Sequence, residues 1–163
     1  MDTREKVEAL LMAIGLAYDE TSWHGPNLRG SLRGVDPEAA SWRPDPERHN
    51  IWEIAVHAAY WKYAARRRLA REKRGAFPLG GRNWFERPKE RSLAAWKSDM
   101  EILEDQHRNL VRVVEQLTDK DLAAEVGKNL QAQQLIQGVA FHDVYHAGQI
   151  RLLRRLRSGQ SET

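Results

Sequence analysis

Apolar residues along this chain recur in steps of three and four, the spacing of one helical face, in four long stretches. The clearest is Leu93, Trp96, Met100, Leu103, His107, Leu110, Val114 and Leu117, which predicts a helix beginning near Arg91 or Ser92. Val7, Leu10, Leu11, Ile14 and Tyr18 define an earlier helix over residues 4–20. Another runs from Asn50 to about Arg74. Asn50 suits an N-cap, and Glu53, three residues on, completes a capping box. The last spans residues 130–157 and ends before Ser158-Gly159.

Shorter elements lie between these. Gly25-Pro26 marks a turn, and Pro26 suits the start of a short helix. Asp36 caps another, with Pro37 at its first position, and Thr118 caps a third at "TDKDL". Pro44 and Pro46 keep the chain extended or turning, and Gly75, Pro78, Gly80, Gly81 and Pro88 form a loop. No stretch alternates with a period of two for long enough to predict a strand. The elements predict an all-α fold, a four-helix bundle with long inter-helix loops, as one domain over residues 1–163.

Composition narrows the chemistry. The chain has 163 residues, 41% hydrophobic and 30% charged, enough for a real core. No apolar run approaches the roughly 18 residues that span a bilayer. The opening "MDTREKVEAL" lacks the apolar stretch of a signal peptide, so no membrane association and a cytoplasmic location are expected. The absence of cysteine excludes disulfides, thiolate nucleophiles and thiolate zinc sites, leaving His, Asp and Glu as metal ligands. The net charge of +3 is concentrated in "RRRLAREKR" (66–74) and "RLLRRLR" (151–157). Such clusters suit helix C-termini, and they also attract anions or nucleic acid. No helix-turn-helix is recognisable and the arginines sit at helix ends, which argues against a nucleic-acid partner.

The histidines carry the candidate chemistry. Leu135, Val139, His142, His146, Gln149 or Ile150, and Leu153 form the stripe of the last helix. Residues four apart differ by about 40° around a helix, so the rings of His142 and His146 can converge. His57 falls on a second stripe with Ile54, Trp61, and Ala64 or Ala65. An imidazole in a core must be neutral and hydrogen-bonded, or bound to a metal. Three imidazoles leave an open position on a metal for water or substrate. Trp61, Tyr145 and Gln149 are placed to line a pocket there, with packing as their alternative role. His107 reads as a core histidine or as a group behind the ligands. His24, after Trp23, and His49 lie in or beside loops and are expected to be exposed, with a lid as the alternative role of His24. Asp143 points about 100° away from His142 and is expected at the surface. Asp99 and Asp105 fall off their stripe, and no carboxylate is placed to act as a general base. Pocket shape is expected to depend on the loops at 21–48 and 75–90.

"HDVYHAGQI" resembles the C-terminal helix signature of the DinB family, and "NIWEIAVHAAYWKYAARRRL" resembles that family's second helix. "WHGPNLRGSL" and its spacing to "HNIWE" are also similar, so the likeness covers nearly the whole chain. It implies a four-helix bundle that binds a divalent metal through three histidines. By motif these are His57, His142 and His146. Nickel or zinc is implied, with iron a further candidate, and a homodimer acting on a small molecule. Relatives include enzymes that use low-molecular-weight thiols, such as S-transferases and maleylpyruvate isomerase. The expectation is a metal-dependent enzyme that activates a low-molecular-weight thiol (transferase-like) or water (hydrolase-like) against a small electrophile. The alternative is a non-catalytic metal-binding protein, or a nucleic-acid-binding protein related to DNA damage.

Overall fold

The computed structural model describes residues 2–73 and 75–160. Four long helices dominate: α1 (Thr3–Tyr18), α4 (Ile51–Leu69), α5 (Leu93–Val114) and α7 (Ala132–Gln160). Three single-turn helices join them: α2 (Leu28–Leu32), α3 (Pro37–Ser41) and α6 (Asp119–Ala123). α4 packs on α5 and α7, and α1 packs on α7 and α5, so the long helices share one interior. No described helix is long and apolar enough to cross a membrane.

Local chemistry starts most of these helices where the sequence places them. Asn50 and Glu53 form the predicted capping box of α4, and Thr118, the predicted cap of α6, forms a box with Asp121. Asp36 caps α3, with Pro37 at its first turn. Asn27, not Pro26, caps α2. Each such cap satisfies orphan N–H groups and contributes about 1 kcal/mol.

The helix ends differ more. α4 stops at Leu69, and Arg71 turns the chain with φ 53°. The polar run that follows has no apolar face to bury. The predicted end at Arg74 lies outside the described residues. α5 stops at Val114, where Gln116 and Leu117 close tighter turns onto Val113 and Val114. Residues 130–131 are not helical. Leu130–Gln131 (β2) pairs antiparallel with Glu125–Gly127 (β1) around Asn129, whose φ is 56°. This ribbon is too short to show a period. At its other end α7 runs through Ser158-Gly159 to Gln160.

α4 is the centre of the core. From Ile51 to Ala59 every residue is buried, an all-round burial that a mostly apolar helix requires. One core cluster joins Ile54 and Ala58 to Ile150 and Leu153; another joins Ala65 and Leu69 to Ala132, Ile136 and Val139. α4 and α7 therefore run antiparallel.

The buried stripe of α7 is rotated from the expected one. Its centre is Ile136, Val139, Asp143, His146 and Ile150, while Leu135, His142 and Gln149 flank it, half-buried. Asp143, expected at the surface, is fully buried and pairs with Lys62, also fully buried. Asp99, expected off its stripe, is buried too, where it accepts from Trp52 Nε1 at 2.6 Å and Arg87 Nε at 2.6 Å.

A buried pair is most sensitive to loss of one partner, because the other charge is stranded. Lys62→Met is expected to cost about 3–5 kcal/mol in urea unfolding, whereas Lys62→Met with Asp143→Leu recovers most of that loss. Equal losses in the single and double variants would contradict the account.

Candidate metal centre

His57, on α4, meets His142 and His146, on α7, across the interface between the two helices. His142 Nε2 lies 3.1 Å from His57 Nε2 and 3.0 Å from His146 Nε2. The three ligand atoms lie within 4.8 Å of one another, and no other group of this kind gathers among the described residues.

The outer ring nitrogens decide what the inner ones can do. His57 Nδ1 donates to the Asn83 carbonyl oxygen at 2.9 Å. A carbonyl only accepts, so the proton of the neutral ring sits on Nδ1 and Nε2 presents a lone pair. His146 Nδ1 stands 2.6 Å from Gln149 Oε1, with the same consequence. Gln149 Nε2 in turn donates to the Tyr145 hydroxyl at 3.1 Å. His142 Nε2 faces both lone pairs and carries at most one proton, so hydrogen bonding alone leaves at least one of those lone pairs without a donor of its own. A shared cation resolves that shortfall. Imidazoles on one divalent ion, each at about 2.0–2.1 Å, stand about 3.0–3.4 Å apart. The donor set therefore fits a divalent metal ion.

Electrostatics favour the ligating form. Burial pushes His57 down to about 4, against the pull of the Asn83 carbonyl, with His146 and His49 lowering it further. Burial likewise pushes His142 to about 3, aided by His146, His57 and Lys62. His146 moves the same way, chiefly by burial.

The loop between α4 and α5 covers His57. Gly81 and Asn83 turn it with φ of 116° and 67°, values open to glycine and tolerated by asparagine. Asn83 then serves twice, since its side-chain oxygen also accepts from Trp61 Nε1 at 2.9 Å. Trp84 stacks flat on His57 with centroids 3.8 Å apart, and His49 stacks on Trp84 at 3.6 Å. His49 is held by Glu53 at 3.0 Å, and Arg43 grips the same carboxylate. Phe77 and Phe85 anchor the loop in the core, and Arg87 ties it to Asp99.

Of the predicted pocket residues, Trp61 stands edge-on to His57 and His142, Tyr145 stands edge-on to His146, and Gln149 contacts His146 directly. His107 does not join them; it is buried and stacks on Tyr18 at 3.6 Å. Trp23 and His24 lie exposed in the turn before α2, as expected of a loop, and line neither of the two cavities that Trp61 borders. A cavity of about 210 Å³ opens beside His142, lined by Trp61, Leu130, Gln134, Leu135, Gly138 and Val139. It is shaped by β2 and the start of α7. Thr21, Pro26, Asn27, Arg29 and Arg33 line instead a separate cavity of about 780 Å³ against Leu103 and Glu104.

Sequence reading misses Asn83, Trp84, Lys62 and Asp143. Asn83 and Trp84 carry no periodic signal. Lys62 does: it is the one ammonium in the otherwise apolar run from Ile54 to Ala65, a helix with no polar face to receive it.

The sequence model of the DinB superfamily matches residues 20–150. No curated protein and no solved structure matches the chain.

The depressed histidines predict a pH dependence in metal-free protein. His57, His142 and His107, the last also held low by burial, take up their protons more readily in the unfolded chain, near the ordinary value of 6.5, than in the fold, at about 3 to 4. Their contribution to stability is therefore full above pH 6.5 and lost as pH falls from there towards about 3. The melting temperature of chelated protein is expected to drop below pH 6.5, and less steeply in His107→Gln. A flat profile would contradict the burial of neutral imidazoles.

Proposed function

The chain belongs to the DinB superfamily, and on that premise we propose that it is a metal-dependent enzyme which directs a low-molecular-weight thiol at a small electrophile. The observation that carries this reading is the convergence of three ring nitrogens, from His57, His142 and His146, beside an apolar cavity. These residues hold one divalent ion, nickel or zinc, with iron a further candidate. When bound, such an ion supplies Lewis acidity that brings the pKa of a coordinated thiol or water towards neutrality.

The protein's part is positioning. Asn83 and Gln149 hold the outer ring protons, so that the inner nitrogens of His57 and His146 stay free to ligate. Trp84 seals one face of His57 against water. Trp61, Leu135 and Val139 offer the body of a substrate an apolar wall. Thiol is favoured over water because the buried carboxylates described around the trio are already engaged. Arg43 and His49 occupy Glu53, and Lys62 occupies Asp143.

A metal-loaded preparation is expected to couple glutathione or cysteine to 1-chloro-2,4-dinitrobenzene faster than buffer does. Chelation and His146→Ala should abolish the gain while the helical circular dichroism persists. If the loaded protein instead cleaves p-nitrophenyl acetate and leaves the thiols untouched, water is the nucleophile.

We also propose a homodimer formed through α7. Phe141, Tyr145, Leu152 and Leu156 are all exposed along its outer face, an apolar strip of the kind that marks an interface. Wild type should sediment as a dimer, and Phe141→Glu with Leu152→Glu as a monomer. A wild-type monomer at micromolar concentration would remove this proposal.

A further inference from the structure

Most semi-buried arginines here have an oxygen partner. Arg43 grips Glu53, Arg66 reaches Glu72, Arg87 holds Asp99, and Arg154 donates to the carbonyls of Ser31 and Arg33. Arg67, half-buried, breaks this pattern, and the exposed Arg68 and Arg82 join it. All three line one cavity of about 370 Å³ between α4 and the following loop, and no Asp or Glu lines it. Among the described residues none of the three has a carboxylate partner. The Nε of Arg67 is buried without an acceptor, while its guanidinium lies over the Tyr63 ring, 5.5 Å from the centroid.

Like charges around one concavity repel, and a buried N–H without an acceptor is costly. An oxyanion removes both penalties, because the planar guanidinium fork matches carboxylate and phosphate. The rest of the wall is apolar: Tyr60, Trp61, Phe77 and Leu79. Trp61 lines this cavity and also the smaller one beside His142. A molecule held here by an anionic end is thus separated from the three histidines by a single indole. The volume suits a small organic molecule, not a nucleic-acid duplex.

We propose that Arg67, Arg68 and Arg82 form an oxyanion subsite that binds the carboxylate or phosphate group of a small, partly apolar substrate or co-substrate. The assignment rests on the proposed function for its meaning, but not for its test.

Isothermal titration of chelated, full-length protein with 3-phenylpropionate and with phenyl phosphate tests it. The neutral 3-phenylpropanamide is the control, and ionic strength is fixed. At least one anion should bind and the amide should not; whichever anion binds more tightly names the group. Arg67→Gln with Arg82→Gln should weaken binding roughly tenfold for each guanidinium removed. Arg82→Gln alone, on an exposed loop, guards against a folding defect in the pair. Equal binding of the amide, equal affinity in the variants, or no anion binding would overturn the proposal. So would a DNA duplex that binds through these arginines, with steep salt dependence, while the small anions do not. Elemental analysis of the same material without chelation separates the two readings. Absent metal with intact anion binding strikes the proposed function alone; bound metal without anion binding strikes the subsite alone.

Discussion

Lys62 and Asp143 face each other in a core that offers neither of them water. A buried charge without its partner is so costly that the two helices have little freedom to slide or rotate past one another. That constraint fixes the register of α4 against α7. His57 lies five residues before Lys62, and His142 immediately precedes Asp143. The meeting of the three imidazoles follows from a pairing that is not itself part of the ligand set. Burial pushes the Asp143 carboxyl upward and the Lys62 ammonium pulls it back, so the pair tolerates loss of neither member.

The second constraint comes from the loop over α4. Its aromatic plugs, Phe77 and Phe85, and the Arg87–Asp99 ion pair bring Asn83 and Trp84 onto His57. The helix register sets where the inner nitrogens point, and the loop sets which nitrogen keeps the proton. Together they turn three neutral imidazoles into a set of converging donors. An arrangement so poorly satisfied by protein hydrogen bonds suits a cation and the chemistry it brings.

Much of this was legible in the sequence, for physical reasons that differ by element. The long helices showed because each buries one face, which leaves a 3.6-residue period. The caps at Asn50, Asp36 and Thr118 showed because capping is local. His57, His142 and His146 stood out because imidazoles on apolar stripes need a reason to be there. Lys62 and Asp143 stayed hidden because a lone charge beside a stripe reads as solvated until the facing helix is known. The phase of α7 differs from its sequence pattern for the same reason: with Asp143 taken as surface, the apolar stripe centres on Leu135 and His142. Asn83 and Trp84 were invisible because the loop is closed by contacts far apart in sequence, such as Asn50 to Arg87 and Trp52 to Asp99.

The most direct measurement is X-ray absorption at the metal edge of zinc- or nickel-loaded protein. The account predicts a first shell containing three imidazole nitrogens at about 2.0–2.1 Å, reduced in His57→Ala. A shell of oxygens alone, or a spectrum unchanged by that substitution, would contradict it.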